Sequence, residues 1–191
     1  MICYNIAHLV RSTSGVKFVM VRGRRDAAPV LWHRKHDHRR CFEDALARAV
    51  SLCRRCGARL TAIRRRVLEV VWQGHRPLGA YEILETLRAE RAGVAPPTVY
   101  RALDFLLGHG LVHRIESLNA FVGCSDPGSS HGGQFLICRT CGTAAELNDR
   151  RIALAIEGCS SESGFHVHHA TIEVSGLCPN CQQSDAKVAN A

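Results

Sequence analysis

Two cysteine pairs with metal-ligand spacing carry the strongest chemical signal in this chain. Cys138 and Cys141 form one CxxC knuckle, and Cys178 and Cys181 form another. Two knuckles let four thiolates meet at tetrahedral angles around one Zn2+, and a closed shell of four cysteines leaves no open position for a substrate. The pattern therefore predicts a structural ion. The 36 residues between the knuckles exceed the roughly 15–20 of a simple zinc ribbon, so this ion would clamp the two ends of a domain together. Redox-active thiols are the competing use of the same spacing.

A second constellation is His113, Cys124, His131 and Glu146. A hairpin with Leu118 and Asn119 as its two loop residues sets Ser117 against Ala120 and His113 directly opposite Cys124, where Cβ atoms lie about 4.5–5.5 Å apart. His131 follows in a turn-rich segment and Glu146 lies just beyond the first knuckle. A metal held by all four would tie two parts of the chain together, which is the geometry a sensor needs. On spacing alone, a histidine and a cysteine on a hairpin are more often ordinary packing residues.

Three further groups carry weaker signals. Cys53 and Cys56 form a third CxxC with no facing pair, and read as buried helix thiols, with a metal or redox switch the alternative. His33, His36 and His38 stand among arginines and read as part of a solvated basic tail, with metal scavenging the alternative. His166, His168 and His169 precede Glu173 and read as surface histidines, with a third metal site the alternative. No Ser/His/Asp arrangement or phosphate-binding glycine loop is evident, and a metal with four protein ligands lacks the vacancy catalysis requires. The chain does not read as an enzyme.

The elements that must position these residues follow from periodicity. From Glu43, Ala45, Leu46, Ala49, Val50, Leu52 and Cys53 form an apolar stripe ending near Gly57. A second helix follows Thr61, with Ile63, Val67, Val70 and Val71 inward, and a third from near Ala80 buries Ile83, Leu84 and Leu87. Pro96 and Pro97 open a fourth, since proline in the first turn loses no hydrogen bond. That helix buries Val99, Leu103, Leu106 and Leu107 and turns Thr98 and Arg101 outward. Two short strands follow, at residues 111–116 and 120–124. Several helices and then a hairpin outline a winged helix-turn-helix, whose last helix enters a DNA major groove.

Residues 125–133 are turn formers throughout and read as a hinge linker. Beyond them, strands at Gln134–Ile137 and near Thr143–Leu147, a helix within Asp149–Glu157 and alternation over His166–Val174 predict a small α+β domain over 134–182. At about 60 residues it would be marginal without a metal or a partner. The remainder divides into a basic extension over 1–40, read as disordered, the winged-helix domain over 41–124, and a flexible tail over 183–191.

Composition sets the outer bounds. In 191 residues, 46% are hydrophobic and 22% charged, and the mean hydropathy is -0.06, a globular profile with no apolar run of membrane length. Ten cysteines in a chain without a convincing signal peptide point to a reducing cytoplasm and to metal. The net charge of +8 is uneven: residues 1–40 carry +7, residues 41–118 carry +4 and residues 119–191 carry -3. A basic middle segment followed by an acidic one favours DNA as the partner of the helical region. Arg54, Arg55, Arg59, Arg64, Arg65 and Arg66 are candidate phosphate contacts, with the solvated face of a helix the alternative for some of them.

The run PPTVYRALDFLL from Pro96 to Leu107, then Gly110 to His113, Cys124, the knuckle at Cys138 and Cys141, and GLCPNC from Gly176 to Cys181 resemble the ferric-uptake-regulator family, and within it the zinc-uptake branch. The resemblance covers about residues 43–182. It implies a homodimeric, zinc-dependent repressor of zinc-uptake genes that binds pseudo-palindromic operator DNA, with a winged-helix domain and an α/β dimerisation domain. It implies two Zn2+ per chain: a structural ion on Cys138, Cys141, Cys178 and Cys181, and a regulatory ion on His113, Cys124, His131 and Glu146. Base reading would fall on Arg101 and Tyr81, and the predicted DNA-binding set is Tyr81, Thr98, Tyr100, Arg101, Arg64 and Arg65. An iron- or peroxide-responsive regulator of the same family is the alternative. The forty-residue extension has no counterpart in the resemblance.

Overall fold

Apolar residues at spacings of three and four build the N-terminal half of the chain. In the computed structural model, which describes residues 38–128 and 132–188, helix α1 (His38–Arg55) turns Ala45, Leu46, Ala49 and Cys53 inward. Helix α2 (Ala62–Val71) buries Val67, Leu68, Val70 and Val71, and α3 (Ala80–Glu90) buries Ile83, Leu84 and Leu87. Helix α4 (Pro96–Gly108) starts on two prolines and buries Val99, Ala102, Leu103 and Leu106. These stripes meet in one core. Leu52, Ile63 and Leu107, all expected inside, are only half-buried at its margin, and Val50 is half-buried as well.

Strands β2 (Val112–Ile115) and β3 (Ala120–Gly123) form the hairpin, with a two-residue strand β1 (Leu78–Gly79) on the outer side of β3. The expected hairpin register is corrected here. Ile115 pairs with Ala120 and His113 with Val122, so the loop has four residues, Glu116 to Asn119, and His113 is not opposite Cys124. Asn119 takes a left-handed φ of 46°, which asparagine tolerates because its short amide bonds locally; here its Oδ1 accepts from Arg114 Nη2 at 2.9 Å. The slip moves the partner of His113 by two positions. Because side chains alternate with period two, His113 and Cys124 stay on one face.

The C-terminal sheet has the order β5-β4-β6. Strand β4 (Gly133–Cys138) is central, antiparallel to β5 (Ala144–Glu146) and parallel to β6 (Thr171–Gly176). Parallel neighbours need a crossover, supplied by α5 (Arg150–Glu162), whose Asp149 N-cap accepts from Arg151 N at 2.9 Å. Helix α6 (Pro179–Val188) ends the described chain.

Four further expectations are corrected. Helix α5 runs five residues past Glu157, through Gly158 and two serines, with Ser161 Oγ donating back to Glu157 O at 2.8 Å. Residues 166–170 are not strand, since β6 begins at Thr171. Residues 183–188 belong to α6 and not to a tail, and residues 38–40 already belong to α1. His33, His36 and His131 lie outside the described residues.

Ile115 and Val122 of the hairpin share a small apolar cluster with Phe135, Ile137 and Ala144 of the C-terminal sheet. Ala144 N also donates to His75 O, in the loop after α2, at 3.0 Å. The two domains thus meet along the hairpin. Among the described residues, no helix is long and apolar enough to cross a membrane.

Candidate functional site

The parallel pairing of β4 with β6 sets Cys138 beside Gly176. Both knuckles therefore leave the same end of adjacent strands. The first is a tight turn, with Gly142 N donating to Cys138 O at 3.0 Å and Cys138 N to Thr143 O at 2.9 Å. Gly142 has a φ of 70°, a conformation that glycine adopts without steric cost. The second knuckle lies on the first turn of α6. The Sγ atoms of Cys138, Cys141, Cys178 and Cys181 all lie within 4.8 Å of one another.

The sulfurs of this cluster differ in how readily they ionise. Burial opposes ionisation of Cys138, but hydrogen bonds from the backbone of Cys141, Cys178 and Thr140 outweigh it and bring the thiol down to about 6. Cys178 N reaches that sulfur at 3.4 Å. Hydrogen bonding to Thr143 also lowers Cys141. Cys181 is pushed up to about 12, first by its hydrogen bond with Cys178 and then by burial and the neighbouring sulfurs. The cluster loses its first proton readily and holds its last, because thiolates this close repel until a cation lies between them.

On the hairpin, β2 presents His113, the residue after β3 is Cys124, and the last residue of β5 is Glu146. One donor atom from each lies within 4.8 Å of the others. His113 Nε2 is 2.9 Å from Glu146 Oε1, while Ser125 N and Oγ donate to Glu146 Oε2 at 2.7 and 2.6 Å. One carboxylate oxygen is anchored and the other faces the cluster. Burial raises the Glu146 carboxyl, but His113 and the two Ser125 donors hold it at about 2. Burial and the Glu146 charge push the Cys124 thiol up to about 12. Phe135 backs the imidazole edge-on at 5.4 Å. Nothing local in the sequence marked Ser125 or Phe135 as supports, since both reach the site only through the fold.

The candidate DNA-contacting residues separate into two groups. Thr98, Tyr100 and Arg101 are exposed on α4, and Tyr81, at 72% exposure, stands on α3 across a small crevice from Tyr100. The second group is engaged in contacts with the protein's own residues. Arg64 donates through Nη1 to Arg59 O at 2.7 Å and lies 3.7 Å above the Phe105 ring, and Arg65 pairs with Glu69 at 2.9 Å. Cys53 is buried and Cys56 is exposed, and neither joins a metal-competent group among the described residues. His166, His168 and His169 line an open cavity of about 670 Å3 between α5 and β6, without forming such a group.

Comparison with known proteins places this geometry. The model of the ferric uptake regulator family matches residues 55–175. The zinc uptake regulation protein of Escherichia coli (strain K12) is 35% identical over 147 residues, covering 75% of this chain and 85% of that protein. A solved zinc uptake regulator complexed with zinc and DNA matches with a TM-score of 0.71 at 35% identity, over 76% of this chain and 97% of that one. The crystal structure of holo XcZur matches with a TM-score of 0.68 at 42% identity, over 73% and 98% of the two chains.

Proposed function

The chain belongs to the ferric uptake regulator family, and from that premise we propose that it is a zinc-responsive transcriptional regulator, acting in the cytoplasm as a dimer on operator DNA to repress zinc-uptake genes. The carrying observation is the cluster of His113, Cys124 and Glu146, which joins the hairpin of one domain to the sheet of the other. Its donors fit a borderline-soft cation. A thiolate beside an imidazole and a carboxylate suits zinc better than an all-oxygen set would, and disfavours the iron- or peroxide-responsive reading. His131 would complete a four-ligand shell.

Cys138, Cys141, Cys178 and Cys181 would hold a second, structural ion. Bound at the hairpin cluster, zinc would supply a crosslink and no reaction chemistry. His113 and Cys124 carry the hairpin and Glu146 the sheet, so holding the three donors together fixes how the winged-helix domain sits on the dimerisation domain. Arg101 and Tyr81 would then read base edges, with Thr98 and Tyr100 beside them and Arg64 and Arg65 near phosphates.

The dimer surface follows from what the chain leaves uncovered. Helix α5 buries none of its residues, and Phe165, Val174 and Leu177 are large apolar residues exposed around β6, an edge strand. A two-fold dimer presents two α4 helices and reads a pseudo-palindrome. By linkage, zinc and DNA then raise each other's affinity.

The test is zinc per chain before and after mild chelation, with DNA binding followed on the same samples. We expect about two ions falling to about one, with loss of binding that added zinc restores. DNA binding indifferent to chelation, or restored by iron and not by zinc, overturns the reading.

A further inference from the structure

One row of the C-terminal sheet touches the hairpin at three points. Register sets Glu146 of β5 opposite Phe135 of β4, and Phe135 beside Glu173 of β6. Cross-strand partners point to one face of a sheet, so these three side chains stand in line toward the hairpin. Glu146 meets His113 at the base of the hairpin, and Phe135 packs with Ile115 and Val122 in the middle. At the far end of the row, the Glu173 carboxylate accepts from the backbone amides of Glu116 at 2.7 Å and Ser117 at 3.2 Å, in the hairpin loop.

That loop is braced from within. Asn119 N donates to Glu116 O at 3.2 Å, and Arg114 spans the loop through Asn119 Oδ1 and the Glu116 carboxylate. Holding the amides of Glu116 and Ser117 therefore holds the whole tip. The donors lie 57 and 56 residues from the acceptor, so the bonds are contacts between domains. Among the described residues, none of these three belongs to a metal-competent group.

We propose that Glu173 is a positioning residue for DNA recognition, latching the hairpin tip to the dimerisation sheet without itself binding metal. An anchor at the base alone lets the hairpin pivot about that point. A second anchor three residues along, about 10 Å at the rise of a strand, removes the pivot. Helix α4 runs into β2 with only three residues between them, so fixing the roll of the hairpin fixes the helix that carries Arg101. The metal cluster and Glu173 close the same interface, so each strengthens the other. The inference rests on the DNA-binding function proposed above.

The test compares the full-length zinc-loaded chain with its Glu173→Ala and Glu173→Gln variants. Amide hydrogen exchange at Glu116 and Ser117 is read by NMR, and affinity is measured across free zinc for a duplex that the wild-type chain selects from a random pool. In Glu173→Ala, both amides should lose protection and affinity at saturating zinc should fall about tenfold, the effect of roughly one charge-assisted hydrogen bond. Glu173→Gln keeps one carbonyl acceptor, so it should protect one amide and fall between. It also serves if the alanine variant folds poorly. Wild-type exchange and affinity in both variants overturn the latch. Wild-type DNA binding that ignores zinc, with both amides protected until Glu173 is removed, overturns the zinc-responsive reading and supports the latch.

Discussion

Raising the pH from about 7 to about 9 should tighten zinc binding at the hairpin cluster about tenfold per unit, because one proton must leave for each ion bound. The proton belongs to Cys124. Its side chain is 1% exposed, and burial, followed by the charge of Glu146, pushes the thiol up to about 12. At pH 7 ionisation is about five units uphill, on the order of 7 kcal/mol that the metal–sulfur bond must offset. Glu146, at about 2, is already a carboxylate and adds nothing to the slope. The assay is calorimetric titration of zinc into the chelated full-length chain, in buffers of differing ionisation enthalpy, with chelator competition at each pH. About one proton released per ion is the expected result. Cys124→His substitutes a neutral donor and should flatten the slope. Affinity independent of pH in the wild type, or an unchanged slope in Cys124→His, refutes the reasoning.

Two other changes probe the DNA face and the hairpin. Arg101→Ala should cost about 1–3 kcal/mol on operator DNA and relax base preference, since Arg101 is exposed on α4 and makes no hydrogen bond or ion pair among the described residues; an unchanged operator-to-scrambled affinity ratio would refute its base-reading role. In Gly123→Ala the new Cβ would overlap the Trp72 indole, and a rigid ring cannot yield without shifting α2 or β3. Melting should show a loss of about 1–3 kcal/mol, and, because Cys124 is the next residue, zinc should weaken at the hairpin while the ion on the four knuckle cysteines stays; an unchanged Tm and zinc content would show that the indole moves freely.

Most of the helices were legible because helical order is local. The stripes at residues 67–71, 83–87 and 99–106 repeat every three or four residues, and proline marks the start of α4. End signals were less reliable. Helix α5 outran its expected end because Gly158 and two serines weaken a helix without stopping one, and Asp149 caps its start. Helix α6 gave no signal strong enough to separate it from a tail. Strand β1 has two residues and exists only through its pairing with β3.

The sequence by itself determined the chemistry of the donors. Thiols at CxxC spacing, and a histidine, a cysteine and a glutamate near a hairpin, are choices of residue type that hold whatever the register. Only the tertiary structure decided how they meet. The hairpin slipped by two positions because its loop has four residues, and period-two alternation returned His113 and Cys124 to one face. The knuckles converge because β6 pairs parallel to β4 after a crossover. Ser125 on Glu146 and Glu173 on the hairpin loop are contacts 21 and up to 57 residues apart. Such pairings are set by which faces of distant elements become buried together, and local periodicity contains no term for that.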